Sequence, residues 1–253
     1  MALRKDKPSL EQLIINEAAL LSFLNSENLI NVVEIFKYKS RIWMFMEYMD
    51  YASQEKIILK DKKSRQYTEP FCQWTLYQVA LGIHAMHSQD VLHRDIKSDN
   101  ILSNSNGEVK IADLGFSAFL TDSQQQRKTK RGTLNWISPE IHRGEVYSKE
   151  IDVWSYGCYA FELATGQPPF CRLDGEELVH AVINTHHGQI DDQRWSSDFQ
   201  DFIDKCLMKN KEERYTIRQL LEHPFLANMN HKECKETFMR EYAAFQQSLP
   251  KKA

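Results

Sequence analysis

The dipeptide Asn106-Gly107 stands between ILS (residues 101–103) and EVKIA (residues 108–112), two short runs rich in β-branched side chains. An Asn-Gly loop is among the strongest hairpin signals, because both central residues of the favoured turn need positive φ. The turn folds the second run back along the first. Asn100, just before the first strand, therefore meets Asp113, just after the second, at the open end of the hairpin. An amide oxygen beside a carboxylate is a pair of hard donors, as Mg²⁺ prefers, and such an ion keeps its other positions for water and phosphate oxygens. Immediately upstream runs HRDIKSDN, residues 93–100, with two carboxylates, two cations and an amide in eight residues. Asp95 lies five residues before Asn100, near the expected ion and free to act as a base.

The chain has 253 residues, 42% of them apolar and 26% charged, which suits one globular protein built as two lobes. A net charge of -3 gives no electrostatic case for a nucleic-acid binder. The short basic runs at 60–65 and 127–131 read as solvated loops. Cys72, Cys158, Cys171, Cys206 and Cys234 are widely spaced with no CxxC pair, so neither a disulfide framework nor a zinc knuckle is indicated. No basic-then-apolar leader opens the sequence and no apolar run reaches about 18 residues, so no membrane association is expected. A reducing, cytoplasmic location is the expectation that follows.

Along the chain, Ser9 and the next three residues have the spacing of a helix capping box. Leu10, Leu13, Ile14, Leu20, Leu21 and Leu24 then recur at helical spacing, with Glu17 inside the stripe. Residues 32–38 and 42–49 are rich in β-branched and aromatic side chains and predict a second hairpin. Residues 51–67 are polar and lysine-rich and divide a small first lobe from a larger second one. Thr68 and Pro70 open a helix running to about His87, and residues 151–163 (IDVWSYGCYAFEL) predict a central helix buried nearly all round. Further helices are expected at 176–184, 197–208 and 217–222. The division is 1–50 for the first lobe, 51–230 for the second and 231–253 for a helical tail.

These motifs resemble the protein kinase domain. HRDIKSDN is similar to its catalytic loop, DLG (113–115) to its metal-binding triplet, SPE (138–140) to the end of its activation segment and DVWSYG (152–157) to its central helix. The resemblance runs from about Leu10 to Leu226, and IINE, MEYM and LLEHPFL are most like the PAK-like serine/threonine group. It implies an α+β, two-lobed kinase fold with a truncated β-containing first lobe, an ion pair between Glu140 and Arg214, and the cofactors ATP and Mg²⁺. Asp95 would accept the proton of a Ser or Thr hydroxyl on a protein substrate, Lys97 would neutralise charge on the transferred phosphate, and Asn100 and Asp113 would hold Mg²⁺. Met46 would be the gatekeeper, the backbones of Glu47 and Met49 would meet the adenine edge, and Leu102 would lie beneath it. Glu17 would be the helix glutamate that pairs with the phosphate-gripping lysine. Leu114, in place of the commoner Phe, would pack against His93 and Leu21. Thr129 matches the activating phosphosite, filled by an upstream kinase or by the chain itself and paired with Arg94. Thr133 would contact Lys97 and Asp95, and Asp152 would hold the loop backbone from below.

A kinase also needs a glycine-rich loop and a strand lysine over the phosphates. The first glycine here is Gly82, and the expected lysine position falls at or before Met1; MALRK faintly resembles the lysine strand, with Arg4 and Lys5 as its cations. A weakened nucleotide roof is the expectation. Three readings follow: a serine/threonine kinase, a catalytically impaired pseudokinase or fragment acting as a scaffold, and an unrelated metal enzyme using His84, His87 and His93, or His186 and His187. For the last, no carboxylate completes a recognisable zinc set in the sequence.

Overall fold

A computed structural model describes residues 15, 19–20, 23–39, 41–51, 53–60, 67–120, 133–190 and 193–248. The capping box at Ser9, most of the leucine stripe with Glu17 and Leu21, and the cations Arg4 and Lys5 lie outside these residues. Ile15, Ala19, Leu20, Phe23 and Leu24 are helical, and Leu20 and Leu24 are buried.

Strand β1 (Val32–Tyr38) pairs antiparallel with β2 (Arg41–Met46), turning at Lys39, whose φ is +55°. The expected second strand stops at Met46 and not at residue 49. There the Glu47 amide donates to the Asn31 carbonyl at 3.0 Å, and the chain leaves the sheet as an extended connector. Most side chains of this hairpin face solvent, and the rings of Phe36 and Phe45 stack on each other with centroids 5.6 Å apart. A parallel bridge between Leu29 and Ile111 ties the hairpin's base to the second lobe: Ile30 donates to the Ile111 carbonyl and Ile111 to that of Asn28.

The Asn-Gly hairpin forms as β4 (Ile101–Ser103) and β5 (Val109–Ile111), with Gly107 at φ +78°. Two residue pairs join β3 (Val91–Leu92) to β6 (Ala118–Phe119), closing the loop segments between them. Around these small sheets the second lobe is helical: α1 (Gln54–Lys60), α2 (Glu69–Ser88), α3 (Pro139–Arg143), α4 (Glu150–Thr165), α5 (Gly175–Asn184), α6 (Ser197–Cys206), α7 (Ile217–Leu221), α8 (Pro224–Ala227) and α9 (His231–Ser248). The sequence leaves α3 and α8 unannounced, being a turn or so each. Thr68 takes the N-cap position of α2, but its hydroxyl donates to Glu241 of α9 at 2.8 Å and makes no cap bond.

Helix α4 is buried on nearly every side, as its apolar composition requires. Gly157 lets α6 approach it closely, since a Cβ there would stand 2.5 Å from that of Cys206. Helix α9 lies along α2: Phe71 stacks on Phe238 at 5.0 Å, and Tyr242 stacks on Tyr51 at 4.1 Å while donating to the Tyr51 carbonyl at 2.8 Å. The tail is thus part of the lobe's core. Among the described residues no helix is long and apolar enough to cross a membrane.

Candidate active site

The loop HRDIKSDN hangs between β3 and β4 and carries buried polar groups that need partners. Asp152, in the first turn of α4, serves two of them and also His87 of α2. Its carboxylate accepts from the His93 amide at 2.9 Å and the Arg94 amide at 2.8 Å, and it contacts His87 Nε2 at 2.9 Å. Burial opposes its charge, but the His87 bond and the neighbouring partial charges outweigh that and hold the carboxyl below its ordinary range. Arg94 has φ +70°, the kink that lets consecutive amides point at one carboxylate. The His93 ring accepts from the Asp95 amide at Nδ1 (3.2 Å) and donates to the Ala112 carbonyl at 3.2 Å through Nε2. Its burial lowers its pKa, which keeps it neutral in this role.

Asp95 is nearly buried and ringed by donors. Lys97 Nζ lies 3.1 Å away, the Thr133 hydroxyl donates at 3.0 Å and the Thr133 amide at 3.2 Å, and Asn100 Nδ2 reaches both the Asp95 carboxylate (3.2 Å) and its carbonyl (2.9 Å). Lys97 Nζ also donates to Thr133 Oγ1 at 2.9 Å, so the three side chains form a closed triangle. Because the Asn100 nitrogen is committed to Asp95, its amide oxygen is left for another partner. Asn100 sits across from Ala112, which donates to its carbonyl at 2.8 Å, so Asp113 follows at the same end of the β4–β5 hairpin. Asp113 is exposed with φ +63°, and among the described residues its carboxylate accepts from the Gly115 amide at 3.2 Å. Two hard oxygens at one hairpin end, one of them on an exposed carboxylate, fit a divalent ion such as Mg²⁺.

Residues expected on the nucleotide side are placed less uniformly. Met49 is buried and Leu102 half-buried, the latter beside a bridge to Ser53. The Glu47 carboxylate binds Lys110 Nζ at 2.8 Å and the Asn31 amide at 2.6 Å, which fixes the start of the connector. Met46, expected to line a pocket, is 47% exposed. Leu114 is buried in the core, whereas Leu21, its expected neighbour, and Thr129 lie outside the described residues. Arg94 donates through Nε to the Phe116 carbonyl at 2.6 Å and through Nη2 to that of Ser117 at 3.2 Å, so its guanidinium holds backbone at the start of the activation segment. At the segment's far end Arg214 grips Glu140 bidentately at 2.7 and 3.1 Å, both side chains almost fully buried. Burial opposes the Glu140 charge, and the Arg214 bonds more than offset it, leaving its pKa low.

Sequence reasoning missed an acidic pocket beside this loop. Glu162 of α4 accepts from Ser98 Oγ at 2.9 Å through one oxygen, while the other has no hydrogen-bond partner among the described residues. Burial, with Asp99 and Glu55 nearby, pushes its pKa up to about 8. Glu162, the second acid inside the otherwise apolar run 151–163, was the available signal. The pairing of His87 with Asp152 was missed too, since the sequence offered this histidine only as a candidate metal ligand. The triple His84, His87 and His93 is not a metal set: His87 is taken by Asp152 and His93 by Ala112, and among the described residues the three form no group of ligating spacing.

Comparison with known proteins agrees with this geometry. Residues 1–226 match the family model described as protein kinase domain. The chain is 36% identical to the serine/threonine-protein kinase pakB of Dictyostelium discoideum over 216 residues, which is 85% of this chain and 25% of that protein. It is 34% identical to pakA of Talaromyces marneffei over 218 residues (86% and 33%) and 35% identical to pakC of Dictyostelium discoideum over 219 residues (85% and 45%). The chain thus spans well under two thirds of the length of these relatives. With a domain match over most of its length and a loop folded as that domain requires, the chain belongs to the protein kinase domain family and is similar to its PAK-like serine/threonine members.

Proposed function

We propose that this chain is the catalytic unit of a serine/threonine protein kinase that transfers the γ-phosphoryl group of ATP to a hydroxyl on a protein substrate. The observation that carries this reading is the triangle of Asp95, Lys97 and Thr133, closed within 3.1 Å on a loop fastened by Asp152. In this reading the Asp95 carboxylate accepts the substrate's hydroxyl proton and aims its oxygen at the γ-phosphorus. That oxygen bonds to phosphorus as the bond to the bridging oxygen breaks, and ADP leaves. Lys97 offsets charge on the transferred group, and Thr133 holds both side chains in register. Asn100 and Asp113 would hold Mg²⁺, whose charge would screen the phosphates. The backbones of Glu47 and Met49 meet the adenine edge, with Met46 behind it and Leu102 below. A phosphate on Thr129, added by the chain itself or by an upstream kinase, would draw Arg94 from the Phe116 and Ser117 carbonyls and so order the segment.

The acidic pocket of Glu55, Asp99 and Glu162 supports a substrate with an arginine or lysine near the phosphorylated residue. A cation there would restore the charge of Glu162, which burial now suppresses. The deciding experiment is Mg·ATP-dependent phosphorylation of a serine peptide with upstream arginines, run beside its alanine counterpart and beside the Asp95→Asn variant. Transfer that needs Asp95 and favours the arginine peptide is expected. A second reading, an ATP-independent binding protein, is favoured by the half-exposed Met46. Absence of transfer together with absence of any Mg·ATP-induced rise in Tm would put that reading first.

A further inference from the structure

The loop that follows α5 carries His186 and His187, and α6 carries Asp204 on the turn facing them. His187 Nε2 lies 2.9 Å from Asp204 Oδ1, and His186 Nε2 lies 3.9 Å from the same oxygen. All three donor atoms fall within 4.8 Å of one another. Donor atoms around a tetrahedral zinc with bonds of about 2.0–2.1 Å stand roughly 3.3 Å apart, so two of these separations bracket the required edge. The carboxylate that the sequence failed to offer beside the paired histidines arrives from the next helix.

We propose that His186, His187 and Asp204 form a binding site for a divalent transition metal, Zn²⁺ being the best suited, with water completing the tetrahedron. Two imidazoles and a carboxylate are the donor set that this ion takes. The site is supported from outside. Gln200 donates from Nε2 to Asp204 Oδ1 at 2.9 Å and accepts from the Ile190 amide at 2.8 Å, so one side chain fixes both the carboxylate and the loop. His187 is almost fully buried, set edge-on against Phe161 and stacked on His186 with ring centroids 4.2 Å apart. Its burial favours the neutral ring, the form that ligates.

Three features work against the metal. His186 Nδ1 accepts from the Gly188 amide at 3.1 Å, and ligation through Nε2 would move a proton to Nδ1 and give up that bond, roughly a fivefold loss in affinity. Lys209, held by the Val182 carbonyl, places a partly desolvated ammonium in the neighbourhood. Neither of these occupies a donor atom of the site. A third cost falls on His187, whose Nε2 proton now faces Asp204: ligation would move it to the buried Nδ1, which has no hydrogen-bond partner among the described residues. The bound ion would staple the loop after α5 to α6.

The test is titration of the metal-stripped full chain with Co²⁺ and then Zn²⁺, followed by visible absorption and Tm. Tetrahedral d–d bands without a sulfur charge-transfer band, displacement by Zn²⁺ and a Zn²⁺-dependent rise in Tm are expected. His186→Ala gives up the Gly188 bond and the stack on His187, so its Zn²⁺ response is read against its own metal-free Tm, and Zn²⁺ should bind at least tenfold more weakly. Asp204→Asn should weaken it likewise, whereas His180→Ala, on the exposed face of α5, should not. Undiminished binding in His186→Ala, a cysteine-type charge-transfer band, or no binding in the micromolar range would each overturn the site.

Discussion

The loop around Asp95 and the β1–β2 hairpin are held in opposite ways. Under the loop, one buried carboxylate takes two amides and a histidine, and a second buried ion pair closes the activation segment. The hairpin leaves Val33, Tyr38, Trp43 and Phe45 to solvent, and its own cross-strand contacts do most of the holding. A two-stranded hairpin alone is marginal in water. The side of the molecule that would meet the substrate hydroxyl is thus organised by the core, whereas the side that would meet the nucleotide base is organised by local pairing and by the Leu29–Ile111 bridge. Loop geometry of a kinase kind therefore does not depend on the condition of the hairpin.

The severest way to break that comparison is Asp152→Ala. It strands two buried amides and His87, and a loss of about 3–5 kcal/mol is expected in urea unfolding. A loss under about 1 kcal/mol would mean that the loop is held by something else. A smaller effect is expected from pH. The fold favours the neutral form of Glu162, whose pKa rises from 4.5 to about 8. The stability this contributes is complete below the unfolded value and is lost progressively as pH climbs from about 4.5 through about 8. Glu162→Gln keeps an acceptor for Ser98 and should flatten the profile, read as urea midpoints across that range. Tyr242→Phe keeps the stack on Tyr51 but removes the bond to its carbonyl, with about 1 kcal/mol expected to go. At the weak end, Trp43→Thr on the hairpin should stay within about 0.5 kcal/mol. A cost near that of Tyr242→Phe would show the hairpin to be better anchored than its exposure implies.

What the sequence disclosed follows from range. The β4–β5 hairpin, α2, α4, α5 and α7 are written in local signals: an Asn-Gly turn, an opening proline and apolar periodicity. The contacts of Asp95 with Lys97 and Thr133 could be expected only through family resemblance, because Thr133 comes from a distant segment. Long-reach contacts outside the family pattern stayed hidden. Nothing near Asp204 announces the pair His186 and His187, nothing near Tyr242 announces Tyr51, and His87 and Asp152 lie 65 residues apart. The early end of the β2 strand was hidden for a different reason: Tyr48 and Met49 continue its apolar and aromatic composition past Glu47, and the Asn31 bond marks where pairing stops.

The docking of α9 bears on how the protein is made. Tyr51 waits for Tyr242, 191 residues further along the chain. At a synthesis rate of about 5–20 residues per second, the two tyrosines emerge on the order of 10–40 seconds apart. Through that interval Phe71 and the apolar face of α2 have no α9 to cover them, so the nascent second lobe passes through a sticky stage that ends only when the last helix arrives. Shortening the chain before Phe238 would make that stage permanent, with aggregation during synthesis the expected form of the damage.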